Sequence, residues 1–149
     1  MVSHAYNAQG QEIWKEDQAG NVFETVYDVS GRRTALKVTN VASGFDGAVQ
    51  RIATTYTNLG QALTVTSYDD DSGGSAVDEV KYAYDGWGNI TSFKQDKDGT
   101  VGGSGYYEVA YTWAKETEGR NTLRKSTATM PGGAVLTYDY VSSGGRYDD

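Results

Sequence analysis

An aromatic residue followed four positions later by glycine recurs along this chain at a near-constant interval. Tyr6…Gly10, Tyr27…Gly31, Tyr56…Gly60, Tyr84…Gly88 and Tyr140…Gly144 all fit the pattern. A sixth copy lies in VAYTWAKETEGRNTL, where Trp113 takes the aromatic position and Gly119 follows after a two-residue insertion. Consecutive anchors are 21, 29, 28, 29 and 27 residues apart. Self-similarity at a fixed period is the signature of a repeat array, and it limits the fold to one in which each unit meets its neighbours.

The residues around each anchor say what the unit wants to be. In steps of two, the chain reads Phe23/Thr25/Tyr27, Ile52/Thr54/Tyr56, Val80/Tyr82/Tyr84, Val109/Tyr111/Trp113 and Leu136/Tyr138/Tyr140. Period-two alternation places each set on one face of a strand. Between aromatic and glycine stand turn-forming residues, as in YDVSG, YTNLG and YDGWG. Glycine there is free to take positive φ. A second alternating run follows, as in RRTALKVT, QALTVTSY and NITSFKQ. Each unit therefore reads as strand, tight turn, strand. Asp28 and Asp85 are expected to lock their corners by accepting hydrogen bonds from backbone N–H groups two or three residues on.

Connections between hairpins are read at DQAGN (17–21), SGFDG (43–47), DDDSGGS (69–75), DKDGTVGGSG (96–105), MPGGA (130–134) and SSGGR (142–146). AKETEGR (114–120) is polar all round and reads as a long turn. The expected fold is all-β: one domain over residues 1–149, of five to six tandem hairpins in one twisted, curved antiparallel sheet, as an open spiral or shell segment. A single-layer sheet cannot bury its tyrosine rows alone. They must roll into a shell, close on themselves or meet another copy.

Composition narrows function. Tyrosine, with 12 copies against three Phe and three Trp, is the dominant large residue. Formal net charge is −7 and the densest basic pairs are Arg32-Arg33 and Arg124-Lys125. That argues against nucleic acid, where affinity rests on clustered cations. No apolar stretch approaches the roughly 20 residues of a membrane span. Residues 1–25 lack the apolar block of a secretory signal, so the chain is either intracellular or a mature or excised segment. Cysteine is absent, which removes disulfides and thiolate zinc sites. No cofactor is expected.

Chemistry-bearing residues are few. His4, the only histidine, falls in register two residues before Tyr6 and reads as a strand residue, without a triad around it. Glu24, Glu79 and Glu108 read as solvent-face or rim carboxylates, and no pair of them is singled out. Asp69, Asp70 and Asp71, and Asp96 with Asp98, resemble parts of calcium loops. They lack the full ligand spacing and read first as acidic turns. Asn89-Ile90-Thr91 is a glycosylation sequon by pattern. Trp87, inside YDGWG, and then Trp14 are the candidates for stacking on a sugar.

YDVSGRRTALKVTN and YDGWGNITSF, and more weakly YNAQGQEI, YTNLGQAL and YDYVSSGGR, resemble the Rhs/YD-repeat family. That family includes bacterial Rhs polymorphic toxins, insecticidal toxin-complex shell proteins and animal teneurins. The resemblance implies a β-ribbon that spirals into a hollow shell, in a secreted or cell-surface protein. It implies repeats that are scaffold and carry no catalysis. The structural anchors on this reading are Tyr6, Tyr27, Asp28, Gly31, Tyr56, Gly60, Tyr84, Asp85, Gly88, Trp113, Tyr140 and Gly144. The family's Asp-Pro-x-Gly closure has no counterpart, since the one proline is Pro131. Expected partners are further repeats of a longer parent, or a second copy met through the terminal strands VSHAY (2–6) and VLTYDYVS (135–142). The alternative is a surface module that binds carbohydrate or calcium.

Overall fold

The structure, a computed structural model, describes residues 1–115 and 123–140. Eleven strands form one antiparallel sheet whose order follows the chain: β1 (Ser3–Tyr6), β2 (Glu12–Glu16), β3 (Val22–Tyr27), β4 (Arg33–Asn40), β5 (Arg51–Tyr56), β6 (Ala62–Tyr68), β7 (Ala76–Tyr84), β8 (Ile90–Asp96), β9 (Tyr107–Lys115), β10 (Leu123–Thr129) and β11 (Val135–Thr137). β1 and β11 are the outer strands, so the sheet is open. Among the described residues there is no helix, and so none long and apolar enough to cross a membrane. The all-β, hairpin-by-hairpin expectation is met. Gly119 and Gly144, the stretch AKETEGR after Lys115 and the tail SSGGR lie outside the described residues.

The chain divides into two compact units, Met1–Lys81 with Gln95–Tyr106, and Tyr82–Lys94 with Tyr107–Asp149. In the first, the register puts the expected apolar sets on one face: Phe23 opposes Val38, Thr25 opposes Leu36, Leu36 opposes Ile52, and Val65 opposes both Thr54 and Val80. In the second, Tyr111 opposes Ala128 and Trp113 opposes Lys125. Two packed layers would bury large side chains completely. Here, among the described residues, no large side chain is fully buried, and the buried apolar residues are Ala35, Val101 and Ala128. Stability must then come from local turns, ladder hydrogen bonds and cross-strand pairs.

One bulge recurs beside the corners. Tyr6 pairs with Glu12, but Ala5 pairs with Trp14, so Ile13 is the extra residue. The same slip places Thr34 after Arg33, Leu63 after Ala62 and Ser126 after Lys125. A bulge bends the strand and increases its local twist.

Candidate functional site: the corner turns and their stitches

Each of four described corners is a five-residue reversal closed by two backbone hydrogen bonds. At β3–β4, Asp28 N–H donates to Arg32 O (2.9 Å) and Gly31 N–H donates to Asp28 O (3.0 Å). The same pair recurs at Asn7/Gln11 with Gly10, Thr57/Gln61 with Gly60, and Asp85/Asn89 with Gly88. The glycines carry φ of 78° (Gly10), 79° (Gly31), 84° (Gly60) and 87° (Gly88), which side chains rarely adopt. This is the three-residue hairpin loop that ends in a left-handed residue.

The acidic residue does lock the corner, but with a different reach from the one expected. Asp28 Oδ1 accepts from the N–H groups of Ser30 and Arg32, two and four residues on (2.9 Å each). Asp85 Oδ1 does the same with Trp87 and Asn89. The N–H three residues on is already committed to the main-chain carbonyl, which is why the side chain skips it. The residue after the glycine closes a clamp. Arg32 Nε donates to Asp28 Oδ2 at 2.7 Å, Asn89 Nδ2 to Asp85 Oδ2 at 2.9 Å, and Asn7 Nδ2 to Gln11 Oε1 at 2.9 Å. The backbone N–H of Arg32 holds Asp28 below the ordinary carboxylate range, helped by its guanidinium. The amide of Asn89 does most to lower Asp85. Asn89, the sequon residue, thus spends its side chain inside the corner.

DQAGN, read as a connection, is the same turn. Asp17 N–H donates to Asn21 O and Gly20 N–H to Asp17 O, with Asn21 Nδ2 on Asp17 Oδ2 at 2.8 Å. MPGGA also closes this way, through Met130 and Ala134. Glu16 and Thr129 stand where the other corners carry an aromatic, so the aromatic–glycine spacing does not mark these two. The pattern Asp-x-x-Gly-Asn, shared by 17–21 and 85–89, is the signal by which the first can be found.

The anchors do more than fill space. Tyr27 Oη donates to Glu12 O at 3.1 Å, and Tyr56 Oη donates to Arg33 O at 2.7 Å. Trp113 Nε1 donates to Ile90 O at 2.9 Å. In all three the acceptor lies two residues after the corner glycine of the preceding hairpin. A phenol or indole can make this bond and a phenylalanine cannot, which explains why the anchors are Tyr and Trp. A second contact runs the same way. Gln11 Nε2 donates to Gly31 O at 2.9 Å, and the Arg32 guanidinium lies over the Tyr56 ring at 4.5 Å. In the other unit Arg124 lies over Tyr140 at 4.8 Å, and Lys125 faces Tyr111 at 4.1 Å. Tyr84 is half-buried, and desolvation together with neighbouring Tyr82 raises its hydroxyl above the usual value.

The other candidates fall elsewhere. Asp69 accepts from Ser75 N–H at 2.6 Å, and Asp70 accepts from the N–H and hydroxyl of Ser72. Arg51 Nη1 donates to Ser72 O at 2.9 Å, so a basic neighbour does stand beside the acidic run. Asp96 accepts from Asp98 N–H at 3.1 Å, and Asp98 pairs with Lys97 at 3.3 Å. Among the described residues no group of three or more carboxylates or histidines is arranged to hold a metal. His4 pairs with Glu12 at 2.6 Å on an outer strand pair. Trp87 is 87% exposed at its corner tip, whereas Trp14 is half-buried opposite Ala5 and Glu24. A shallow cavity of about 200 Å³ is lined by Phe23, Val38, Val41, Phe45 and Val49 beside Asp17, Asn21 and Asp46.

Glu79 corrects the solvent-face reading. It is 9% exposed, accepts the Thr66 hydroxyl at 2.8 Å, and accepts Val101 N–H at 3.1 Å. The loop after β8 folds back over it, which alternation along β7 could not reveal. Glu108 keeps its rim position, held below the usual range by the Ser92 hydroxyl first and by Lys94.

No protein-family model matches this sequence, and no curated protein matches it. Among solved structures, the chain is similar to the crystal structure of TcdB2-TccC3 without its hypervariable C-terminal region. The TM-score is 0.35, with 19% identity over 87% of this chain. It is also similar to the crystal structure of TcdB2-TccC3-Cdc42, at a TM-score of 0.34 and 16% identity over 92% of this chain. The chain spans 7% and 9% of the length of those two chains.

Proposed function

We propose that this chain is a segment of a non-enzymatic β-repeat scaffold of the YD-repeat kind, in an extracellular or cell-surface protein, acting in shell formation, self-assembly or adhesion. The stitch carries this reading: an aromatic of one hairpin bonds a carbonyl of the hairpin before it, at Glu12, Arg33 and Ile90. Such a bond propagates a ribbon and does no chemistry. The chemistry-bearing side chains are spent in the same way, with Asp17, Asp28 and Asp85 closing turns.

Self-association through the outer strands is the testable part. Val135, Leu136 and Thr137 of β11 are all exposed. Tyr138 N–H turns inward to Ser126 O, so the N–H of adjacent Thr137 faces away from β10. Thr137→Pro removes that outward donor and spares the ladder. The full chain is expected to sediment as a species larger than a monomer at moderate salt, since screening relieves the −7 charge. Thr137→Pro is expected to reduce that species. A wild-type chain that stays monomeric at high concentration would contradict assembly.

One observation favours a second reading. Trp87 is 87% exposed at a corner tip, a placement suited to stacking on a glycan ring. A glycan-array signal that disappears in Trp87→Ala would select this reading, and silence would leave the scaffold.

A further inference from the structure

The three stitches share one geometry, and the first hairpin has only half of it. Tyr27 and Tyr56 are half-buried, each with its hydroxyl on a carbonyl of the preceding hairpin. Tyr6, the equivalent anchor, is 59% exposed, and among the described residues its hydroxyl meets no acceptor. The corner glycines tell the same story. A methyl group on Gly31 would lie 3.4 Å from Gln11 Nε2, and one on Gly60 would lie 3.5 Å from Arg32 Nη1. One on Gly10 would meet nothing within 4 Å. At the second and third corners, the residue after the preceding glycine reaches across to the next corner. At the first corner that place is open.

We propose that β1 and its corner, Tyr6 to Gly10, are a docking surface for a further hairpin of the same type. The partner's chemistry follows from the filled copies. Its second strand pairs with the outer edge of β1. Its carbonyl two residues past the corner glycine accepts the Tyr6 hydroxyl. An arginine or glutamine directly after that glycine covers Tyr6 or the backbone at Gly10, as Arg32 covers Tyr56 and Gln11 holds Gly31 O. This deepens the scaffold reading and rests on it. It adds that the contact is specific, chosen by a hydroxyl and a planar donor and not by strand pairing alone, which any extended peptide could supply.

The chain supplies its own probe. Residues 22–50 hold β3, β4 and the segment leading to β5, and Tyr56 lies six residues beyond Gln50. Fused ahead of Met1, this segment places Tyr6 six residues after its last residue, as Tyr56 stands in the parent. Amide exchange then reads the β1 amides that do not bond β2. These are expected to slow at least about tenfold in the extended chain. Tyr6→Phe should undo about fivefold of that protection, the size of one neutral hydrogen bond, and should do nothing in the parent. A second extension, residues 50–78, carries Gln61 where the first carries Arg32, and should protect β1 to a smaller extent. Protection that is indifferent to Tyr6→Phe would overturn the proposal and leave the scaffold reading standing. Unprotected β1 amides in both extensions, with β3–β6 of the parent still protected, would overturn it as well. The sedimentation result, by contrast, judges the scaffold reading alone.

Discussion

The corner between β3 and β4 and the connection between β8 and β9 both return the chain to the sheet, with different partners. At the corner, Asp28 bonds Ser30 and Arg32, all within five residues, and its side chain stays 20% exposed. In the connection, Val101 is buried and gives its N–H to Glu79, 22 residues away and itself buried. The corner is written in consecutive residues and can form early. The connection needs β6 and β7 already in place, because Glu79 also holds Thr66 across that pair. Local closure is cheap in chain entropy, whereas the distant contact is not. What is lost on removing each partner should differ accordingly.

The largest effect is expected at the distant contact. Glu79→Ala leaves the buried Thr66 hydroxyl and Val101 N–H without acceptors, at about 2–3 kcal/mol. Glu79→Gln keeps one acceptor oxygen and should cost less. Chemical denaturation measures both, and an unchanged midpoint for Glu79→Ala would erase the contrast.

Next comes the corner backbone. Gly88→Val puts a β-branched residue at φ 87° and should cost about 1–3 kcal/mol. Gly86→Ala, two residues earlier, has no positive φ and open space around its new methyl, so it should fall within about 0.5 kcal/mol of wild type. Equal midpoints for the two variants would remove the corner as assigned.

The smallest effect is the pH response of the acidic corners. Hydrogen bonds lower Asp17, Asp28 and Asp85 below 3.8 in the folded chain. A carboxylate lowered on folding contributes stability that is complete above its unfolded value and is lost as pH falls through the folded one. Amides at Ser30, Arg32, Trp87 and Asn89 should therefore exchange faster, relative to the intrinsic rate, as pH drops below 3.8. Asn7 builds the same turn from an amide, with its Oδ1 accepting from Gln9 and Gln11. Amides at Gln9 and Gln11 should show no such step. A parallel response at both corners would mean that the carboxylates are not what closes the acidic ones.

The contrast also explains what could be read from the residues alone. The strand sets are local and periodic, and the pairing follows them. The corner glycines 10, 31, 60 and 88 take positive φ, and the turn aspartates reach two and four residues on where two or three is expected. The clamp at Arg32 and Asn89 was one position away, hidden because an arginine and an asparagine look unrelated until both meet the same Asp Oδ2. The DQAGN corner carries no aromatic and so fell outside the repeat. Glu79 was unreadable, because its burial depends on a loop more than 20 residues further on. The stitches lay between: their tyrosines were evident, and their acceptors were carbonyls, which the sequence does not mark.

Those acceptors carry the central claim, that Tyr27, Tyr56 and Trp113 each fasten their hairpin to the one before. Amide exchange across β3–β6 in Tyr56→Phe tests it most directly, since only the hydroxyl on Arg33 O is lost. The account predicts faster exchange on both sides of the stitch, in β4 around Arg33 to Leu36 as well as at the Tyr56 corner. A change confined to the Tyr56 hairpin, with β4 exchanging as in wild type, would contradict it.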